Sequence, residues 1–106
     1  MIDWSRIDEI EQELGADEVP ELVAVFLDEV GDAMGPLAQN IQPSEAALHF
    51  LKGCALTLGF DDLAKLASDG EARKKASGDC CVDTVEICAA YQNEKSELLE
   101  RFPMAG

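Results

Sequence analysis

The chain has 106 residues, with 22 Asp and Glu against 8 Lys and Arg, a single histidine and a formal net charge of −14. That length fits one domain, spanning 1–106, and leaves no room for a nucleotide-binding unit beside a substrate domain. That charge repels nucleic acid and anionic membrane surfaces, which argues against both as partners.

The elements read in chain order as helices. Scarce aromatics and abundant Ala, Leu, Glu and Asp favour aliphatic helix packing over a sheet. A short first helix over about residues 3–14 can be capped by Asp3 or Ser5, carries a thin stripe of Trp4, Ile7, Ile10 (or Glu11) and Leu14, and stops at Gly15. It is too narrow to stand alone and is expected to lie across a larger bundle. Asp17 can cap a second helix over about 18–41, where Val19, Leu22, Val23, Phe26, Leu27, Val30, Met34, Leu37 and Ile41 recur at three and four residues. Pro36 can kink or divide it, and Gly31 and Gly35 suit close approach by a neighbour or are tolerated weak points.

Ser44 caps a third helix over 44–58 that buries Ala47, Leu48, Leu51, Cys54, Ala55 and Leu58 and ends at Gly59. Asp61 can cap a fourth over 61–77, using Leu63, Ala64, Leu66, Ala67 and Ala76. Ser77-Gly78-Asp79 makes a turn. A fifth helix over 81–102 places Val85, Cys88, Ala89, Gln92, Leu98, Leu99 and Phe102 inward, and Pro103 ends it. Short connections make sequential helices antiparallel. The expected fold is therefore all-α, an up-down four-helix bundle with an additional short N-terminal helix.

Charge is uneven. Residues 1–53 carry a net −10 and residues 54–106 a net −4, so a partner with a basic rim would be drawn to the first half. Cys54, Cys80, Cys81 and Cys88 form no CxxC pattern and have no second histidine to help build a zinc site. They read as reduced thiols of a cytoplasmic protein. No export signal or membrane-length apolar run is present.

The lone histidine, His49, offers a neutral nucleophile near pH 7. At about 100° per helical residue, Ala47, Leu51, Cys54 and Leu58 cluster roughly opposite His49. On the same count Glu45, Ala46, Lys52, Gly53 and Leu56 fall within about 60° of it. His49 thus points away from the apolar stripe, with a positive charge one turn along. Gly53 is costly in mid-helix, about 1 kcal/mol worse than alanine, and bares the backbone beside the imidazole. Leu56 and Phe60 add apolar surface. This describes a docking face of Glu45, Ala46, Gly53, Leu56 and Phe60 around a nucleophile. A metal site at His49 and Glu45 lacks further ligands, and a catalytic triad fails because Cys54 lies across the helix.

His49-Phe50-Leu51-Lys52-Gly53-Cys54-Ala55-Leu56-Thr57-Leu58-Gly59 resembles the signature of histidine-containing phosphotransfer domains, H-x-L-K-G-[S]-A-x-x-L-G, with Cys54 where serine is common. The resemblance implies a four-helix bundle covering nearly the whole chain. It implies His49 as phosphoacceptor, Lys52 neutralising phosphoryl oxygens, and Gly53 leaving room for a receiver domain. The family carries Gln or Glu 22 residues past the histidine, which is Glu71 here, placed to orient the imidazole. Gly70 departs from the larger apolar residue common there and is expected to loosen that helix.

The implied activity is a phosphoryl shuttle between receiver-domain aspartates, or from a hybrid histidine kinase to a response regulator. The chain would act as a monomer without ATP-dependent kinase activity, and a divalent cation such as magnesium would be supplied by the partner receiver domain. Two other classes stay open: a helical adaptor that binds receivers without carrying phosphate, and a redox or metal module using Cys80, Cys81 and Cys88.

Overall fold

Caps and breaks in the sequence set the helix ends. The computed structural model describes residues 1–77 and 81–103, and its helices are α1 (Trp4–Leu14), α2 (Val19–Ala38), α3 (Glu45–Leu58), α4 (Asp61–Ser77) and α5 (Thr84–Arg101). Asp3 caps α1 by accepting from the Ser5 N–H, and Ser44 caps α3 by accepting from the Ala47 N–H at 3.0 Å. Asp17 does not cap α2. That helix enters through Glu18 without a side-chain cap, with Pro20 in its first turn, where a missing N–H costs nothing. Pro36 lies inside α2 without dividing it, but the helix stops at Ala38, so Ile41 falls beyond it and is exposed. The expected turn over 77–79, and Cys80, reach outside the described residues.

Contacts run α2–α3, α3–α4, α4–α5 and α5–α2, in a closed ring. Four helices in a ring, joined by short connections, make an antiparallel up-down bundle. Val23, Leu27, Val30 and Met34 of α2 meet Leu48, Leu51 and Leu58 of α3, Leu63 and Ala67 of α4, and Ile87, Tyr91 and Leu98 of α5 in its core. α1 lies against α2 and α3. Its outer end is pinned to α5 by Arg101, which contacts Asp8 and Glu11 and stacks over Trp4 at 5.3 Å. No helix among the described residues is long and apolar enough to cross a membrane.

Three details depart from the sequence reading. Phe60 is not surface: it is fully buried, pairs through its backbone with Ile2, and sets its ring 6.4 Å from Tyr91. The cause is Gly59, whose left-handed backbone (φ 74°) turns the chain inward, so the α3 face does not extend past it. A side chain at Gly59 would also strike the Asp3 carbonyl, 2.7 Å from a Cβ.

Gly70, second, tightens the bundle where it was expected to loosen a helix. A Cβ there would come within 2.9 Å of Val82 and 3.2 Å of Leu48, so the missing side chain lets α3, α4 and the entry to α5 close together. Third, α5 is turned from the expected face. It buries Thr84, Ile87, Tyr91, Glu94 and Leu98, leaving Val85, Ala89 and Gln92 exposed; Ala76 of α4 is exposed too.

Glu94 explains that rotation. Its side chain is 1% exposed, and its carboxylate accepts the backbone N–H groups of Asp62 (3.1 Å) and Leu63 (2.9 Å). The start of α4 is therefore satisfied by its neighbour α5, and not by Asp61. Glu94→Ala should lower unfolding free energy by about 2–4 kcal/mol, because it strands two donors. The exposed neighbour change Glu97→Ala should stay within about 0.5 kcal/mol. Urea titration of both variants measures the contrast.

Candidate functional site

α3 and α4 build the site from one face each. The Ser44 cap starts α3 so that Leu48, Leu51, Cys54, Ala55 and Leu58 turn inward. That registration leaves His49 outward, with its side chain 70% exposed, and sets Lys52 one turn on at 29%. α4 brings Glu71 beneath them. Its carboxylate is bound on both oxygens: Oε2 lies 2.8 Å from His49 Nδ1 and Oε1 lies 2.8 Å from Lys52 Nζ. Glu71 is only 6% exposed, covered by the side chains that bind it at the bundle surface.

The charge state follows. The Lys52 ammonium, and then the His49 hydrogen bond, hold the Glu71 carboxyl below the ordinary carboxylate range, against the opposing effect of its burial. An ionised carboxylate only accepts, so His49 Nδ1 carries the proton and donates it to Glu71. In the neutral ring, Nε2 then keeps its lone pair, on the exposed side of the bundle. The arrangement presents an oriented nucleophilic nitrogen, with cationic charge close by.

Glu45, Ala46, Gly53 and Leu56 are all exposed on the helix that carries His49. Phe60 lies apart from them in the core. A Cβ at Gly53 would meet nothing within 4 Å, so no packing inside the chain requires glycine there. The sequence reading missed one residue of this site. Lys75 lies 3.8 Å from Glu71 Oε2 and 3.9 Å from Glu45 Oε1, and with Ser44, Glu45, Ala46, His49 and Glu71 it lines a shallow depression. The signal for Lys75 was its i,i+4 spacing from Glu71.

The thiols lie elsewhere. Cys54 and Cys88 are free thiols; burial, with Glu29 adding, pushes the Cys54 thiol up, and burial does the same for Cys88. Neither shift activates a thiolate.

A protein-family model described as Hpt domain matches residues 5–101. Among curated proteins, the chain is 31% identical over 97 residues to the phosphorelay protein LuxU of Vibrio harveyi, covering 84% of each chain. It is 31% identical over 91 residues to the phosphorelay protein LuxU of Vibrio cholerae serotype O1, covering 81% of this chain and 80% of that one. No solved structure matches significantly.

Because the folded-state pKa of Glu71 is depressed, its ion pairs stabilise the fold above the unfolded carboxylate pKa, and that contribution is lost as pH falls through the folded value. The stability difference between the native chain and Glu71→Gln should therefore be full at neutral pH and shrink on acidification. In a carbon-13 titration of the Glu71 carboxyl, Lys52→Met should move the midpoint upward by more than His49→Gln does.

Proposed function

The chain belongs to the Hpt domain family and acts in phosphorelay signalling, and on that footing we propose that His49 carries a phosphoryl group between receiver-domain aspartates. The observation that supports this most is the Glu71–Nδ1 hydrogen bond, which leaves Nε2 as the free nitrogen of an exposed ring. In the forward step the Nε2 lone pair attacks the phosphorus of an aspartyl phosphate. The N–P bond forms, the P–O bond to the aspartate breaks, and the carboxylate leaves with its electron pair. No proton need move: Nδ1 keeps its hydrogen, and the positive charge that develops on the ring sits against Glu71.

The return step is the same exchange with a second aspartate. Such transfer depends on in-line placement and charge compensation more than on covalent activation. Lys52, fixed on Glu71, keeps a positive charge within the site. Gly53 leaves the backbone bare where a receiver must approach, which accounts for a helix-weakening residue that nothing inside the fold demands. The source of the phosphoryl group is a receiver domain, standing alone or within a hybrid histidine kinase, and its recipient is the receiver of a response regulator.

His49→Gln should keep the helical circular dichroism of the native chain and take up no acid-labile, base-stable label from a phosphorylated receiver; label retained on that variant would sink the assignment. Gly53→Ala should raise stability by about 0.5–1 kcal/mol while slowing transfer on the order of tenfold or more. A gain in stability with unchanged transfer would remove Gly53 from the docking surface.

A further inference from the structure

Two cations lie within reach of Glu71, and they are held differently. Lys52 is half-buried and makes a 2.8 Å contact to Oε1. Lys75 is 61% exposed and sits at ion-pair distance from two carboxylates, 3.8 Å from Glu71 Oε2 and 3.9 Å from Glu45 Oε1, in hydrogen-bond contact with neither. It borders the same depression as His49. The Glu71 oxygen that faces Lys75 is the one that accepts from His49 Nδ1, so Lys75 approaches the imidazole on the flank that Lys52 does not occupy.

A phosphoryl group on His49 adds a dianion beside this cluster. Charge-assisted hydrogen bonds to phosphoryl oxygens are stronger than a loose exposed ion pair. Lys52 would have to abandon a short contact to a covered carboxylate in order to turn fully toward the new group, and that carboxylate would lose its main counterion. Lys75 gives up only two long contacts, and its flexible stem ends in three donors.

Resting on the phosphoacceptor role of His49, we propose that Lys75 is the mobile cation of the site: it is parked between Glu45 and Glu71 in the resting chain and moves onto the phosphoryl oxygens of phosphorylated His49. Lys52 keeps Glu71 ionised and in place, while Lys75 answers the added charge. Phosphorylation thereby also frees the Glu45 carboxylate, changing the charge of the docking face between the two states.

The test uses the full chain and two phosphodonors, a phosphorylated receiver domain and phosphoramidate. With the receiver, the equilibrium constant for forming phosphohistidine should fall about three- to tenfold in Lys75→Met and stay unchanged in Lys65→Met, an exposed lysine elsewhere on α4. With phosphoramidate, NMR of the lysine side chains and of the Glu45 carboxyl should show Lys75 and Glu45 shifting together on phosphorylation, more than Lys52. The Glu71 titration of the unphosphorylated chain should stay governed by Lys52. Phosphorylated His49 with equal constants for the two variants, or with no shift at Lys75, overturns the inference and leaves the shuttle standing. His49 unmodified by either donor removes both. Modification by phosphoramidate alone removes the shuttle, and the shifts at Lys75 still decide the inference.

Discussion

The Glu71 carboxylate, bound on one oxygen by His49 and on the other by Lys52, is the contact on which the rest of the site depends. It fixes which ring nitrogen holds the proton, and so which one is free. It also anchors the nearer cation within one carboxylate of the ring. This works only while Glu71 stays ionised, and the same lysine that it anchors keeps it so. The site is therefore a closed set of charges in which each member sets the state of the next.

The fold exists to bring that carboxylate under that ring. His49 and Glu71 are on different helices, and their contact needs α3 and α4 in close register. Gly59 turns the chain between them, and Phe60 locks the turn into the core. Gly70, next to Glu71, removes the side chain that would push α4 away from Leu48, next to His49. Glu94 secures the start of α4 from the adjacent helix α5. None of these residues belongs to the charged cluster itself, and each acts on the spacing of two helix faces.

Much of this was legible in the sequence. Apolar recurrence located α2 and α3, the Ser44 cap and Gly59 stop fixed the register of α3, and helical angles placed His49 outward with Lys52 and Gly53 near it. What was not legible depends on partners far along the chain. Glu94 reads as one more surface acid, because only the tertiary structure shows the two α4 N–H groups it meets, and that misreading turned the assigned face of α5. Phe60 was extrapolated along a helix that ends two residues before it. Gly70 looked like a weakness because the neighbours a side chain would strike, Val82 and Leu48, come from other segments. Lys75 was overlooked because its role rests on distances to two carboxylates, one of them on another helix.

One ring nitrogen takes the phosphoryl group, so the most direct test is to phosphorylate the chain from a receiver domain and record the nitrogen-15 correlations of the His49 ring. Phosphorus on Nε2, with Nδ1 still carrying its proton toward Glu71, is the predicted product. Phosphorus on Nδ1 would require the Glu71 hydrogen bond to break before transfer, and would contradict the central role given to that carboxylate.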